Sequence, residues 1–218
     1  MPDAFLPAVV ARLAEVPGVE AIVLGGSRAQ DSHAETSDWD LGLYFESAEA
    51  FNVVALNRVA ATLDDAHRED LCTPIGGWGP WVVGGGWLTI DGRFAALTIA
   101  ATPYPVALRA AIFSQLRGEP TFCAAIAEKG LARGDLAYVA TSLSRAVFCL
   151  AQLLFALNSE WYLNEKGATA RAARFARTVP RLDARVQAAF GSLGADPAGA
   201  IATLRTLAEE VVALTRES

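Results

Sequence analysis

Apolar and polar positions along this chain change pattern near residue 104. Strand-like and helix-like stretches alternate before it, and only helix-like stretches follow it. Residues 4–15 read as an amphipathic helix. Val19 to Leu24 is a short apolar strand ended by Gly25-Gly26. Residues 27–37 are small and polar, a loop or a short helix with Ser27 near its start. Trp39, Leu41, Leu43 and Phe45 fall at alternate positions, which predicts a strand over 39–45. Residues 47–65 predict a helix with Ser47 as its cap. Residues 66–81 form a loop holding Pro, Gly and two Trp. In "WVVGGGWLTIDGRFAALTIA", Asp91-Gly92 separates two β-rich runs and predicts a hairpin. After Pro103 and Pro105 the pattern predicts helices near 105–116, 120–131, 135–158, 166–178, 181–190 and 197–216. The organisation expected is an α/β (α+β) domain over 1–104 and an all-α helical bundle over 105–218.

Charge sharpens that division. The net charge of −6 argues against a general nucleic-acid binder. Residues 1–104 hold 5 Arg and no Lys against 14 acids, a balance of −9, whereas residues 105–218 hold 13 basic residues against 10 acids, a balance of +3. Metal ions suit the first part and phosphates the second. Three widely spaced cysteines, Cys72, Cys123 and Cys149, indicate neither a disulfide framework nor a zinc site. A reduced, cytoplasmic setting fits. The N-terminus lacks the basic start of a signal peptide. The strongly apolar run from Ala146 to Leu157 is too short to span a bilayer, so no membrane partner is expected.

The stretch "LGGSRAQDSHAETSDWDLGLYF" carries the candidate chemistry. Strand alternation puts the apolar side chains of 39–45 on one face and Asp38 and Asp40 on the other, within reach of one cation. Two carboxylates that close repel unless a cation lies between them. Hard oxygen ligands suit Mg²⁺ or Mn²⁺. The preceding Gly25-Gly26-Ser27 turn lets backbone N–H groups approach a phosphate, with the Ser27 hydroxyl as a further donor. A phosphate turn beside two carboxylates outlines a metal–nucleotide site. Taken separately, a glycine turn and an Asp-x-Asp strand end are equally a loop and a solvated edge.

Gly26-Ser27, ten intervening residues, then Asp-hydrophobic-Asp-hydrophobic resembles the signature of the DNA polymerase beta-type nucleotidyltransferase superfamily, most of all its small bacterial members such as aminoglycoside nucleotidyltransferases. The likeness extends to the "WLTIDGR" hairpin and to "FALNSEWYLNEKG". It implies an N-terminal domain with a mixed sheet carrying the site, and a C-terminal helical bundle. It further implies ATP as nucleotide substrate, Mg²⁺ or Mn²⁺ on Asp38 and Asp40, and AMP transfer to a small hydroxylated acceptor whose identity the sequence leaves open. Asp38 and Asp40 would be both catalytic and metal-binding. Gly25, Gly26, Ser27 and Arg28 would bind nucleotide, with Lys166 reaching the triphosphate.

Members of the superfamily carry a third carboxylate a few residues after the hairpin. Here that segment reads Arg93-Phe94-Ala95-Ala96, the position expected to be acidic is Ala96, and no Asp or Glu occurs from Gly92 to Gly118. Asp91 is accounted for by its hairpin turn. Two alternatives therefore stand beside active transfer: a nucleotide-binding pseudoenzyme with impaired catalysis, and a protein-interaction module. Arg174, Arg177 and Arg181 are expected on one helical face, either a wall toward phosphates or a solvated surface. Trp78, Trp81 and Trp87 stack on a ligand or pack around the glycine-rich loop. His33 and His67 read as solvated histidines.

Overall fold

Strand alternation organises the N-terminal part. In a computed structural model that describes residues 4–29, 31, 33–47, 49–75, 84–101, 104–163 and 165–216, the chain divides into two compact units, Met1–Pro105 and Val106–Ser218. The first holds α1 (Phe5–Leu13), β1 (Val19–Leu24), α2 (Gly26–Ala29), β2 (Trp39–Phe45), α3 (Val53–Leu63), β3 (Gly84–Ile90) and β4 (Arg93–Ala101). Its strands form one mixed sheet in the order β1-β2-β4-β3. β2 runs antiparallel to β1 and parallel to β4, and β3 runs antiparallel to β4.

The apolar face of β2, Trp39, Leu41, Leu43 and Phe45, is buried with residues of its neighbours such as Leu88, Leu97 and Ile99. Phe5, Val9 and Leu13 of α1 and Leu56 and Ala60 of α3 join this core. Burying each leucine-sized side chain stabilises the unit by roughly 1.5–3 kcal/mol. The opposite face of the sheet is therefore where polar side chains can project without disturbing that core.

The Asp91-Gly92 hairpin forms as the sequence predicts, with φ of 49° and 71° at its two central residues. Left-handed values at both positions belong to the two-residue turn that matches strand twist. The glycines of β3 have a packing reason. A Cβ at Gly86 would lie 2.2 Å from the Leu71 carbonyl oxygen, so segment 71–75 can run close along this strand. Asn57 holds the segment there, donating to the Cys72 carbonyl at 2.9 Å and accepting from the Cys72 amide at 2.7 Å. The rest of the expected loop, with Trp78 and Trp81, lies outside the described residues.

Two sequence expectations shift. The third helix begins at Val53 and is capped by Asn52, whose Oδ1 accepts from the Ala55 amide at 3.0 Å. Ser47 instead closes a local turn by accepting from the Ala50 amide. Both residue types suit caps and turns alike, and pattern alone does not say which of the two starts the helix. Residues 166–178 yield only the short helix Ala168–Ala172.

The second unit comprises α4 (Val106–Leu116), α5 (Glu119–Leu131), α6 (Leu136–Leu157), α7 (Ala168–Ala172), α8 (Leu182–Ser192) and α9 (Pro197–Arg216). Helix α6 is its hub, packed against α4, α5, α7 and α9. Tyr162 is buried edge-on against Phe148 and Phe155, with ring centroids 5.5 and 5.1 Å away. The apolar run read as too short for a bilayer is part of this longer helix. At 22 residues, α6 is long and apolar enough to cross a membrane by length and composition alone, but 67% of its most apolar window is buried inside the protein. It is the core helix of its unit. All three cysteines are free and buried, and burial pushes the Cys72 and Cys149 thiols up to about 12.

Candidate functional site

The glycine turn and the Asp40 carboxylate meet where β1 ends and β2 begins. Leu24 pairs with Leu41, and the next residue, Gly25, donates its N–H to the Asp40 carbonyl at 2.7 Å. Gly26 then adopts φ +63°, and a Cβ there would lie 1.8 Å from Asp40 Oδ2. The Asp40 carboxylate occupies the space that any side chain at 26 would need. A left-handed backbone and this close approach both call for glycine. Ser27 follows in the one-turn helix α2, half-buried.

Register extends the site across the sheet. Asp40 is paired with Ala96 of β4, and Ala96 with Trp87 of β3. Paired residues project to the same face. Asp40, Ala96 and Trp87 thus form one row on the face opposite the core. Ala96 is buried, and Trp87 is 46% exposed. Position 96, where the resemblance expects an acid, is the direct cross-strand neighbour of Asp40 and carries only a methyl group. Asp91 is held in the hairpin turn, its amide donating to Asp65 at 2.8 Å.

Arg28 is committed to its own loop. Its Nε donates to the carbonyls of Ser37 and Asp38 at 3.1 Å each. Its Nη2 donates to the carbonyls of Glu35 at 3.1 Å and Ser37 at 2.5 Å. The guanidinium also lies over the Trp39 ring, 4.1 Å from its centroid. It closes the loop that delivers Asp38. Nothing in the local sequence marks these contacts, because they depend on how residues 33–38 fold back.

Lys166 belongs to the second unit, exposed in the turn before α7. The expected arginine face does not form there. Arg171 pairs with Glu160 at 2.6 Å, Arg177 donates to the Leu214 carbonyl at 3.1 Å, and Arg185 pairs with Glu210 at 2.5 Å. Arg181 precedes α8 with a left-handed backbone. The chain turns between Ala173 and Arg181, so helical spacing does not apply across the break.

The donor set bears on a metal ion in two ways. Asp38 and Asp40 supply hard carboxylate oxygens at the start of one strand, which suits Mg²⁺. Among the described residues, no group of three or more His, Cys, Asp or Glu is gathered to hold an ion by itself. The pair therefore fits an ion that takes its remaining ligands from phosphate oxygens and water, the usual coordination of nucleotide-bound Mg²⁺. No protein-family model matches the chain, and no curated protein matches it.

Proposed function

We propose that the first unit carries a nucleotidyltransferase-type site that binds Mg-ATP, with transfer of AMP to a small hydroxylated acceptor as its reaction. The supporting observation is the close approach of Gly26 to Asp40: a glycine turn able to receive phosphate lies directly against a carboxylate able to hold Mg²⁺. Asp38 and Asp40 would hold the ion, which when bound supplies charge neutralisation at the phosphates. The Gly25–Ser27 turn would orient the phosphates through backbone N–H groups and the Ser27 hydroxyl. A Tm shift with ATP that requires Mg²⁺ tests the binding, and pyrophosphate release across a panel of hydroxylated acceptors tests the transfer.

The pairing of Asp40 with Ala96 favours a second reading, binding without efficient turnover. A carboxylate at 96 would stand beside Asp40 and could take the acceptor's proton. The alanine can neither do that nor hold an ion. Ala96→Asp is expected to tighten Mn²⁺ binding and raise transfer above the parent rate. Robust pyrophosphate release by the parent protein would exclude this second reading. No ATP-dependent shift with or without Mg²⁺ would overturn both and leave a protein-interaction module.

A further inference from the structure

Resting on the metal–nucleotide reading, we infer that Arg28 is a positioning residue for Asp38 rather than a ligand of the nucleotide phosphates. Two of its nitrogens are committed to three carbonyls of one loop, those of Glu35, Ser37 and Asp38. The last belongs to the proposed metal ligand itself. Its planar fork is the feature being used, since a lysine carries the charge but cannot reach three diverging acceptors. Stacking on Trp39 fixes the plane of the fork, and Trp39 is itself locked in the core, 5.1 Å from the Phe5 ring. Ser37 reinforces the loop: its Oγ accepts from the Ala34 amide and its amide donates to the Ala34 carbonyl, both at 3.0 Å.

The consequence is mechanical coupling. Arg28 lies one residue beyond Ser27, so the turn proposed for phosphate and the loop that ends in Asp38 move as one piece. Gly25 makes the matching tie to the Asp40 carbonyl. Each aspartate of the pair therefore has its backbone fastened to the turn. Removing a partner that orients a metal ligand commonly changes metal affinity by about 10–100-fold.

Arg28→Lys and Arg28→Gln separate positioning from phosphate contact. Three quantities are measured on the whole chain: the Kd for Mn²⁺ alone, the Kd for tripolyphosphate without metal, and amide hydrogen exchange over residues 33–40. Both variants are expected to weaken Mn²⁺ binding by about tenfold or more. Both should leave metal-free tripolyphosphate binding unchanged and exchange faster over 33–40. A phosphate contact predicts the reverse: Arg28→Lys behaving as the parent, and Arg28→Gln losing tripolyphosphate affinity with unchanged exchange. That result would overturn the inference. A parent protein that binds neither Mn²⁺ nor Mg-ATP would end the nucleotidyltransferase reading instead. Exchange then decides alone: faster exchange in both variants sustains the hold on Asp38, and unchanged exchange removes it.

Discussion

Two pairs of aspartates in the first unit show how differently the same side chain can be used. Asp64 and Asp65 end helix α3 and are absorbed by the fold. The Asp64 side chain is fully buried, paired with Arg68 at 2.7 Å and accepting from the Thr89 amide at 3.1 Å. Asp65 accepts from the amides of Asp91 and Gly92 at 2.8 and 2.9 Å, closing the hairpin. Asp38 and Asp40 are half-buried; Asp40 lies on the sheet face away from the core, against a glycine turn, and Asp38 immediately precedes the strand. Adjacent acids at a helix end find backbone donors in different directions. Acids two apart on a strand project together, so they concentrate charge in one place. The first arrangement serves stability and the second suits a ligand.

The largest effect expected from breaking this contrast is at Asp64. Asp64→Ala leaves the Thr89 amide without its acceptor and should destabilise the protein by about 3 kcal/mol in denaturant unfolding. The pH dependence has a definite sign. The Arg68 side-chain bond, foremost, holds the Asp64 carboxyl below its ordinary value of 3.8, against the opposing effect of burial. Folding thus favours the ionised form. Its contribution is complete above the ordinary value and fades as pH falls below about 4. The parent should lose stability there more steeply than Asp64→Ala. Parallel stability curves below about pH 4 would show that Asp64 is not the group responsible.

Next is Gly26→Ala. The left-handed backbone disfavours alanine, and the new methyl must displace the Asp40 carboxylate. A loss of about 2 kcal/mol is expected, together with loss of the Mg²⁺-dependent ATP shift. Calorimetric unfolding with and without Mg-ATP reads both. Asp65→Ala should cost only about 1 kcal/mol, because its carboxylate is exposed and water can replace it at the hairpin amides. Normal ATP behaviour in that variant would keep the two aspartate pairs functionally distinct. Smallest in stability is the double change Asp38→Asn with Asp40→Asn, expected within about 1 kcal/mol of the parent while abolishing Mg²⁺-dependent ATP binding. A double variant that still binds Mg-ATP with parental affinity would place the site elsewhere.

Particular residues show how far the sequence could be read. Alternation at 39–45 assigned Asp40 to the face opposite Leu41, and the sheet has that arrangement. Asp91-Gly92 announced its turn. The spacing of Arg174, Arg177 and Arg181 misled, because it suggested one shared helical face, whereas between Lys166 and Arg181 only Ala168–Ala172 is helical. The chain breaks after α7, and Arg171, Arg177 and Arg185 each find a separate partner. The contacts of Arg28 were equally out of reach. A basic residue beside a glycine turn suggests phosphate, whereas its donors are directed to carbonyls up to ten residues later.

The order of strands and helices, the two-faced character of β2 and the hairpin turn were determined by the sequence itself. Each rests on periodicity or on the φ preferences of one or two residues, which are local properties. Tertiary structure alone decided that Ala96 and Trp87 stand in a row with Asp40, that Gly26 makes room for a carboxylate fourteen residues away, and that Asp65 caps a hairpin formed much later in the chain. These contacts join segments whose approach is set by register and core packing. No local preference encodes which residue on one strand will face which on the next.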